Sequence, residues 1–181
     1  MPKKWKKEAL KLKKDHLWIG KPGYKIFVAD RGAVRFNVPQ DWAIELDSVS
    51  TKFYDRKPPK DDCRLECSYI RLPPIDWSGL PLSQLIQIAL EGEHRSLIPT
   101  ENFGHMQRDD VELAWVEYRF MDPNEHREAY TRICIGRGSN IQTLITFDYW
   151  PEDAARLSGV WDEVMRSLEL GRYIKDPTTG L

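Results

Sequence analysis

The sequence predicts an α+β fold, an antiparallel β-sheet flanked by helices. Three observations carry that expectation. Period-two stretches follow one another through short turn-like links, which suits hairpins rather than parallel crossovers. Two other stretches, one mid-chain and one near the end, switch to the 3–4 spacing of amphipathic helices. The order is hairpins, helix, hairpins, helix, without the alternation that builds a parallel βαβ sheet.

KPG (21–23) breaks the preceding segment, and YKIFVAD (24–30) then reads as a strand closed by the tight turn DRGA (30–33). Val34, Phe36 and Val38 alternate with Arg35 and Asn37, a half-buried strand ending on a Pro39 turn. Trp42, Ile44 and Leu46 alternate with Ala43 and Glu45. TKFYDR (51–56), KPPKDD (57–62) and CRLECSYIRL (63–72) read as a hairpin. The loop PPIDWSGLP (73–81) ends on a proline suited to a helix start, and Leu82, Leu85, Ile86 and Ala89 form a stripe before Gly92. Strands follow at 111–121, 128–135 and 141–148, joined by DPNEH and GRGSN. The last helix opens at WPED (150–153), carries Leu157, Trp161, Val164 and Leu168, and is capped by Gly171. The expected organisation is a helical lysine-rich arm over 1–20, one domain over 21–171 and a loose tail over 172–181.

The chain has 181 residues, 41% hydrophobic and 30% charged, enough to bury a core without staples. Its net charge of −1 conceals a segregation. Residues 1–14 hold Lys3, Lys4, Lys6, Lys7, Lys11, Lys13 and Lys14 against a single acid, Glu8. The arm is therefore about +6 and the rest about −7, which excludes a wholly basic nucleic-acid binder. The N-terminal stretch lacks the apolar run of a secretory signal, and no 18-residue apolar run predicts a membrane span. Cys63 and Cys67 sit on one strand about 13 Å apart, too far for a disulfide. Reduced thiols and a cytoplasmic location are expected.

The run F-x-V-P-x-x-W at Phe36 to Trp42, the hairpin, the mid-chain helix, three strands and WDEVMRSLEL (161–170) resemble the Mog1/PsbP-like family, in its bacterial branch. The closing pattern is carried by Trp161, Val164, Ser167 and Leu168. The resemblance spans about residues 24–170. It implies that fold and a role in binding other proteins, and it transfers no catalytic residues.

The residues themselves offer little chemistry. GRGSN has a G-x-G but a strand follows it, so a phosphate cradle fails its context. Glu91 and His94 stand three apart at a helix end, only two potential metal ligands. No G-x-S-x-G appears. No catalytic residue, metal site or cofactor is expected. Trp42 is expected to fill core space under the Pro39 turn. The strand 111–121 is apolar on both parities: Ala114, Val116, Tyr118 and Phe120 on one, Val111, Leu113, Trp115 and Met121 on the other. One set needs a helix or a partner over it. Trp77 and Trp115 are thus candidates for an exposed partner-binding surface.

The resulting reading is a cytoplasmic, non-enzymatic protein-binding or adaptor module, with another protein as partner. One alternative is an enzyme with an acid-lined, metal-assisted site. Another is weak binding of anionic membrane or nucleic acid through the arm, using Lys3, Lys4, Trp5, Lys6, Lys7, Lys11, Lys13 and Lys14.

Overall fold

The computed structural model describes residues 4–181, and Lys3 of the arm lies outside them. In chain order the strands are β1 (Tyr24–Ala29), β2 (Val34–Pro39), β3 (Ala43–Leu46), β4 (Thr51–Tyr54) and β5 (Cys63–Arg71). Helix α1 (Leu82–Glu91) follows, then β6 (Ile98–Gln107), β7 (Glu112–Met121), β8 (Glu128–Gly138) and β9 (Ile141–Tyr149). A 3-10 turn (Pro151–Asp153) leads into α2 (Ala154–Ser167), and β10 (Glu169–Leu170) closes the set. All the pairings are antiparallel. They make a three-stranded sheet, β1-β2-β10, and a seven-stranded sheet, β3-β4-β5-β9-β8-β7-β6. This is the expected α+β architecture, antiparallel sheets flanked by helices.

The alternation along β9, buried at every second residue, shows why the large sheet is the centre of the molecule. On one face Leu65, Cys67, Cys134, Ile145 and Phe147 meet the small sheet and α2. Phe27, Phe36 and Phe53 join the sheets, with centroids 4.9–5.3 Å apart. On the other face Ile135, Ala114, Val116 and Leu144 pack under Leu82 and Ile86 of α1. Each helix therefore seals one face, and this is how β7 can be apolar on both parities. Trp115 lies with the α2 set: its ring meets Trp161 edge-on at 5.6 Å.

Trp42 is 5% exposed and packs beside Phe147 at 6.2 Å, as its position after the Pro39 turn predicts. The closing pattern has an equally direct meaning. Trp161, Val164 and Leu168 are buried, and the Ser167 hydroxyl accepts the Asn37 amide while donating to the Glu163 carbonyl. One serine thus ties the last turn of α2 to the middle of β2.

Three expectations are corrected. The arm is not helical: among residues 4–23 there are turns and irregular chain but no helix. Lys7 and Lys11, Lys4 and Lys7, and Lys11 and Lys14 would be like-charge neighbours on a short isolated helix, which is marginal even without repulsion. The tail is not loose. Ile174 is buried and its amide donates to the Arg31 carbonyl, while the Lys13 and Leu17 amides donate to the Thr178 and Thr179 carbonyls. Strand β6 is an addition to the expected set, because Pro99, Asn102 and Gly104 spoil its alternation; it is an edge strand carrying a register shift, where such residues are tolerated.

Candidate functional site

A groove of about 1660 Å³ lies between the two sheets. Its walls are β1, β3 with the loop to β4, the end of β5, and the arm from Trp5 to Leu12. A sheet face would offer alternate residues to a cavity, yet Tyr24 to Ala29 and Ala43 to Leu46 line it without interruption. The groove is therefore bounded by strand edges. β1 is the outer strand of the small sheet and β3 an outer strand of the large one, so both present a side that no strand of the described residues pairs with.

The hydrogen-bond phase fixes which groups face the groove. The Gln40 amide donates to the Gly23 carbonyl at 2.9 Å, so the bonded pairs run through Lys25–Val38 and Phe27–Phe36. Ile26 faces Asn37, whose amide is turned to Ser167 at 2.8 Å. Ile26 and Val28 accordingly point their N–H and C=O groups away from β2 and toward the groove. On β3 the Asp47 amide donates to the Ser50 carbonyl at 2.9 Å, which turns Ile44 and Leu46 outward. The Ile44 carbonyl accepts the Lys7 ammonium at 2.8 Å. The Lys25 ammonium donates to the Trp42 carbonyl, and burial lowers its pKa.

The described part of the arm lines this groove without helix or strand, and is tethered at Lys7 and again from Lys13 to Trp18. Beyond Lys7, the Lys13 ammonium lies 3.0 Å from the Asp176 carboxylate. Hydrogen bonds from Thr178 and Lys13 hold Asp176 at about 2. The Trp18 indole donates to the Pro177 carbonyl at 2.8 Å, stacks on the Arg35 guanidinium and packs against Gly180, whose positive φ keeps that position clear of a side chain. Of the arm residues singled out from the sequence, Trp5, Lys6 and Lys7 line the groove and Lys13 reaches the tail. Lys4, Lys11 and Lys14 are exposed.

Trp77 and Trp115 are not brought together. Trp115 lies on the α2 face, against Trp161 and under the Arg132 guanidinium. Trp77 belongs to the loop before α1, on the opposite face, with its indole donating to the Pro73 carbonyl at 3.1 Å. The single surface expected of them is corrected on that ground: α2 claims one and the sheet separates the other.

One set of buried charges, Glu117 and Arg132, forms a structural unit. The Glu117 carboxylate accepts Arg132 Nε at 3.0 Å, Thr100 at 3.1 Å, Asn102 at 3.2 Å and the Tyr149 hydroxyl. Burial, and then the bond to Glu117, raise the Tyr149 pKa. A buried carboxylate with its oxygens so filled is held in place rather than offered to a ligand. Cys63, Cys67 and Cys134 are free and buried, and burial pushes Cys67 up to about 12. Among the described residues Glu91 and His94 gain no third metal-ligating neighbour.

The residue pattern places Ile26, Val28, Ile44 and Leu46 on strands but does not show that those strands are edges. Two signals bear on it: a lysine inside β1, and the brevity of β3, both common devices of exposed edges.

The Alr1449 family matches residues 25–174. The chain belongs to that family. It is 53% identical over 178 residues to "Uncharacterized protein alr1449" of Nostoc sp. (strain PCC 7120), covering 98% of this chain and 93% of that one. Among solved structures, cyanobacterial PsbP (CyanoP) from Synechocystis sp. PCC 6803 is similar, with a TM-score of 0.57 and 15% identity over 84% of this chain and 95% of that one. The Ran-binding protein Mog1p of Saccharomyces cerevisiae gives a TM-score of 0.51 at 8% identity, covering 81% and 95%. These likenesses place the Alr1449 family on the Mog1/PsbP-like fold. The family match begins within β1 and ends at the buried Ile174, so the tail residue docked on Arg31 falls inside it while the arm precedes it. No helix of the described residues is long and apolar enough to cross a membrane.

Proposed function

We propose that this protein is a non-enzymatic protein-binding or adaptor module working in the cytoplasm, and that the groove between the sheets is its binding surface. The observation that carries this is that the edges of β1 and β3, which pair with no further strand among the described residues, both line one concavity. Open edges are templates for another chain, and the groove adds apolar walls from Phe27, Val49 and Ile70. The Ran-binding relative of the same fold makes a protein partner a natural occupant. The three buried free thiols suit a reducing compartment.

A photo-reactive residue at Val49, a groove residue 78% exposed, tests the reading in the native host. The expected result is a discrete cross-linked protein from position 49 and none from position 88, which is exposed on α1. Equal labelling from both positions, or none from position 49, would overturn it.

A further inference from the structure

The groove joins two features that its apolar lining does not explain. One is the row of backbone groups on β1, where the N–H and C=O groups of Ile26 and Val28 point outward with no partner among the described residues. The described part of the arm does not use them. From residue 4 to residue 12 it makes no backbone hydrogen bond to β1, and its tether runs instead through Lys7 to the other edge.

The other feature is charge. Around the groove, Asp30 is neutralised by Arg71 at 2.9 Å and Asp47 by Lys52 at 3.3 Å. Lys6, Lys7 and Lys57 line it without a carboxylate partner among the described residues, and Lys25 interacts with Asp41 outside ion-pair distance, against two unpaired lining acids, Glu8 and Glu45. Lys4, Lys11 and Lys14 extend the same sign along the arm, also without a carboxylate partner among the described residues. The body carries the opposite charge overall, so this basic rim is local to the groove.

Resting on the protein-binding reading above, we propose that the groove takes up an extended segment of a partner protein, in which acidic and apolar residues alternate, as an added strand along β1. The ladder hydrogen bonds come from Ile26 and Val28. Alternate side chains of the added strand point to opposite sides, which lets apolar ones face Phe27, Ile44 and Val49 while carboxylates meet the arm lysines. The arm is then an electrostatic clamp: it lines the groove without filling the strand position and supplies charge where the added strand presents its own. Two classes of residue, edge amides and lysines, thus recognise two features of one ligand.

The probe is a fluorescein-labelled peptide of alternating valine and glutamate, about eight residues long, enough to run along the ~20 Å of a six-residue β1. Anisotropy with the full-length protein is expected to rise to saturation. The valine–lysine counterpart is expected to bind at least tenfold more weakly. Reversing Lys4, Lys6, Lys11 and Lys14 to glutamate should weaken the acidic peptide about tenfold and leave the circular dichroism unchanged. Ile26→Pro, which removes one outward N–H on an edge strand, should abolish binding. If that variant does not fold, amide exchange in the wild-type protein gives the same information: exchange at Ile26 and Val28 should slow when the acidic peptide is added. Equal binding of the two peptides, or unchanged exchange at those two amides, overturns the proposal. Binding of phosphatidylserine vesicles with no peptide binding also overturns it and assigns the arm to anionic lipid. If the peptide fails while position 49 still cross-links a protein, the protein-binding reading stands and only the strand-addition mode falls.

Discussion

Trp42 owes its place in the core to residues three positions away in the chain. Pro39 ends β2 and the Trp42 amide closes the turn on the Pro39 carbonyl at 3.2 Å, which leaves the ring directed at Phe147. Trp42→Ala should therefore cost about 3–5 kcal/mol, because it empties a packed site. Chemical denaturation measures this, and a variant as stable as the wild type would contradict the core role of Trp42. The local pattern F-x-V-P-x-x-W is enough to read that role. The cysteines are equally legible, since alternation along CRLECSYIRL puts Cys63 and Cys67 on the buried parity. Burial raises all three thiol pKa values, so almost no thiolate exists at neutral pH. A thiol reagent should label the native protein slowly and all three cysteines rapidly in denaturant; fast native labelling of Cys63 or Cys67 would contradict their burial. Trp115 is not legible in the same way. Period-two counting gives it a face but not the identity of what covers that face, and Trp161, 46 positions later in the chain, supplies the answer.

At the scale of elements, the junction between α2 and β2 shows polar chemistry holding an apolar frame in register. The Glu163 carboxylate accepts Asn37 Nδ2 at 2.8 Å and pairs with Arg166, while Ser167 takes the Asn37 amide. The Arg166 hydrogen bonds, chiefly, hold Glu163 at about 2, below the ordinary 4.5. A carboxyl lowered on folding contributes stability above its unfolded pKa and loses that contribution as pH falls through the folded value. Glu163→Gln should therefore be less stable than the wild type by ~1–2 kcal/mol at neutral pH, the worth of charge-assisted bonds. The gap should narrow as pH falls from 4.5 toward 2, and thermal melts across that range check it. A gap independent of pH would mean that packing, not charge, is lost. Elements with clean periodicity, β5, β9 and α2, are legible in the sequence. β2 is legible as a strand, but the half-buried face expected of it is corrected, because Arg35 and Asn37 are buried against Ser167 at the end of α2. β6 is not legible, because an edge strand needs no alternation to be held by one neighbour, and Pro99 and Gly104 read as breakers. β10 escapes for a related reason: two residues carry no period, and only their pairing with Arg35 and Val34 makes them a strand.

For the whole molecule, the open question is what holds a cationic arm on an anionic body. Charge segregation alone suggests electrostatics, and the Lys13–Asp176 pair at 3.0 Å fits that view. Its magnitude does not: both side chains are solvent-exposed, and such pairs contribute roughly 0–1 kcal/mol and weaken with salt. Trp18 is better placed. It is half-buried, donates to the Pro177 carbonyl, packs on Gly180 and stacks on Arg35, joining arm, tail and β2 at one point. An aromatic anchor with its polar handle satisfied does not depend on ionic strength. The Leu17 amide, bonded to the Thr179 carbonyl at 2.8 Å, reports the docked state directly. Its hydrogen exchange should stay slow at about 1 M salt, where screening acts within ~3 Å. In Trp18→Ala it should become fast while protection along β8 and β9 is unchanged. If salt alone releases Leu17, the arm is held by charge and Trp18 is incidental. If Trp18→Ala alone releases it, the lysines are left free of a docking role, and their charge is available to whatever enters the groove beneath them.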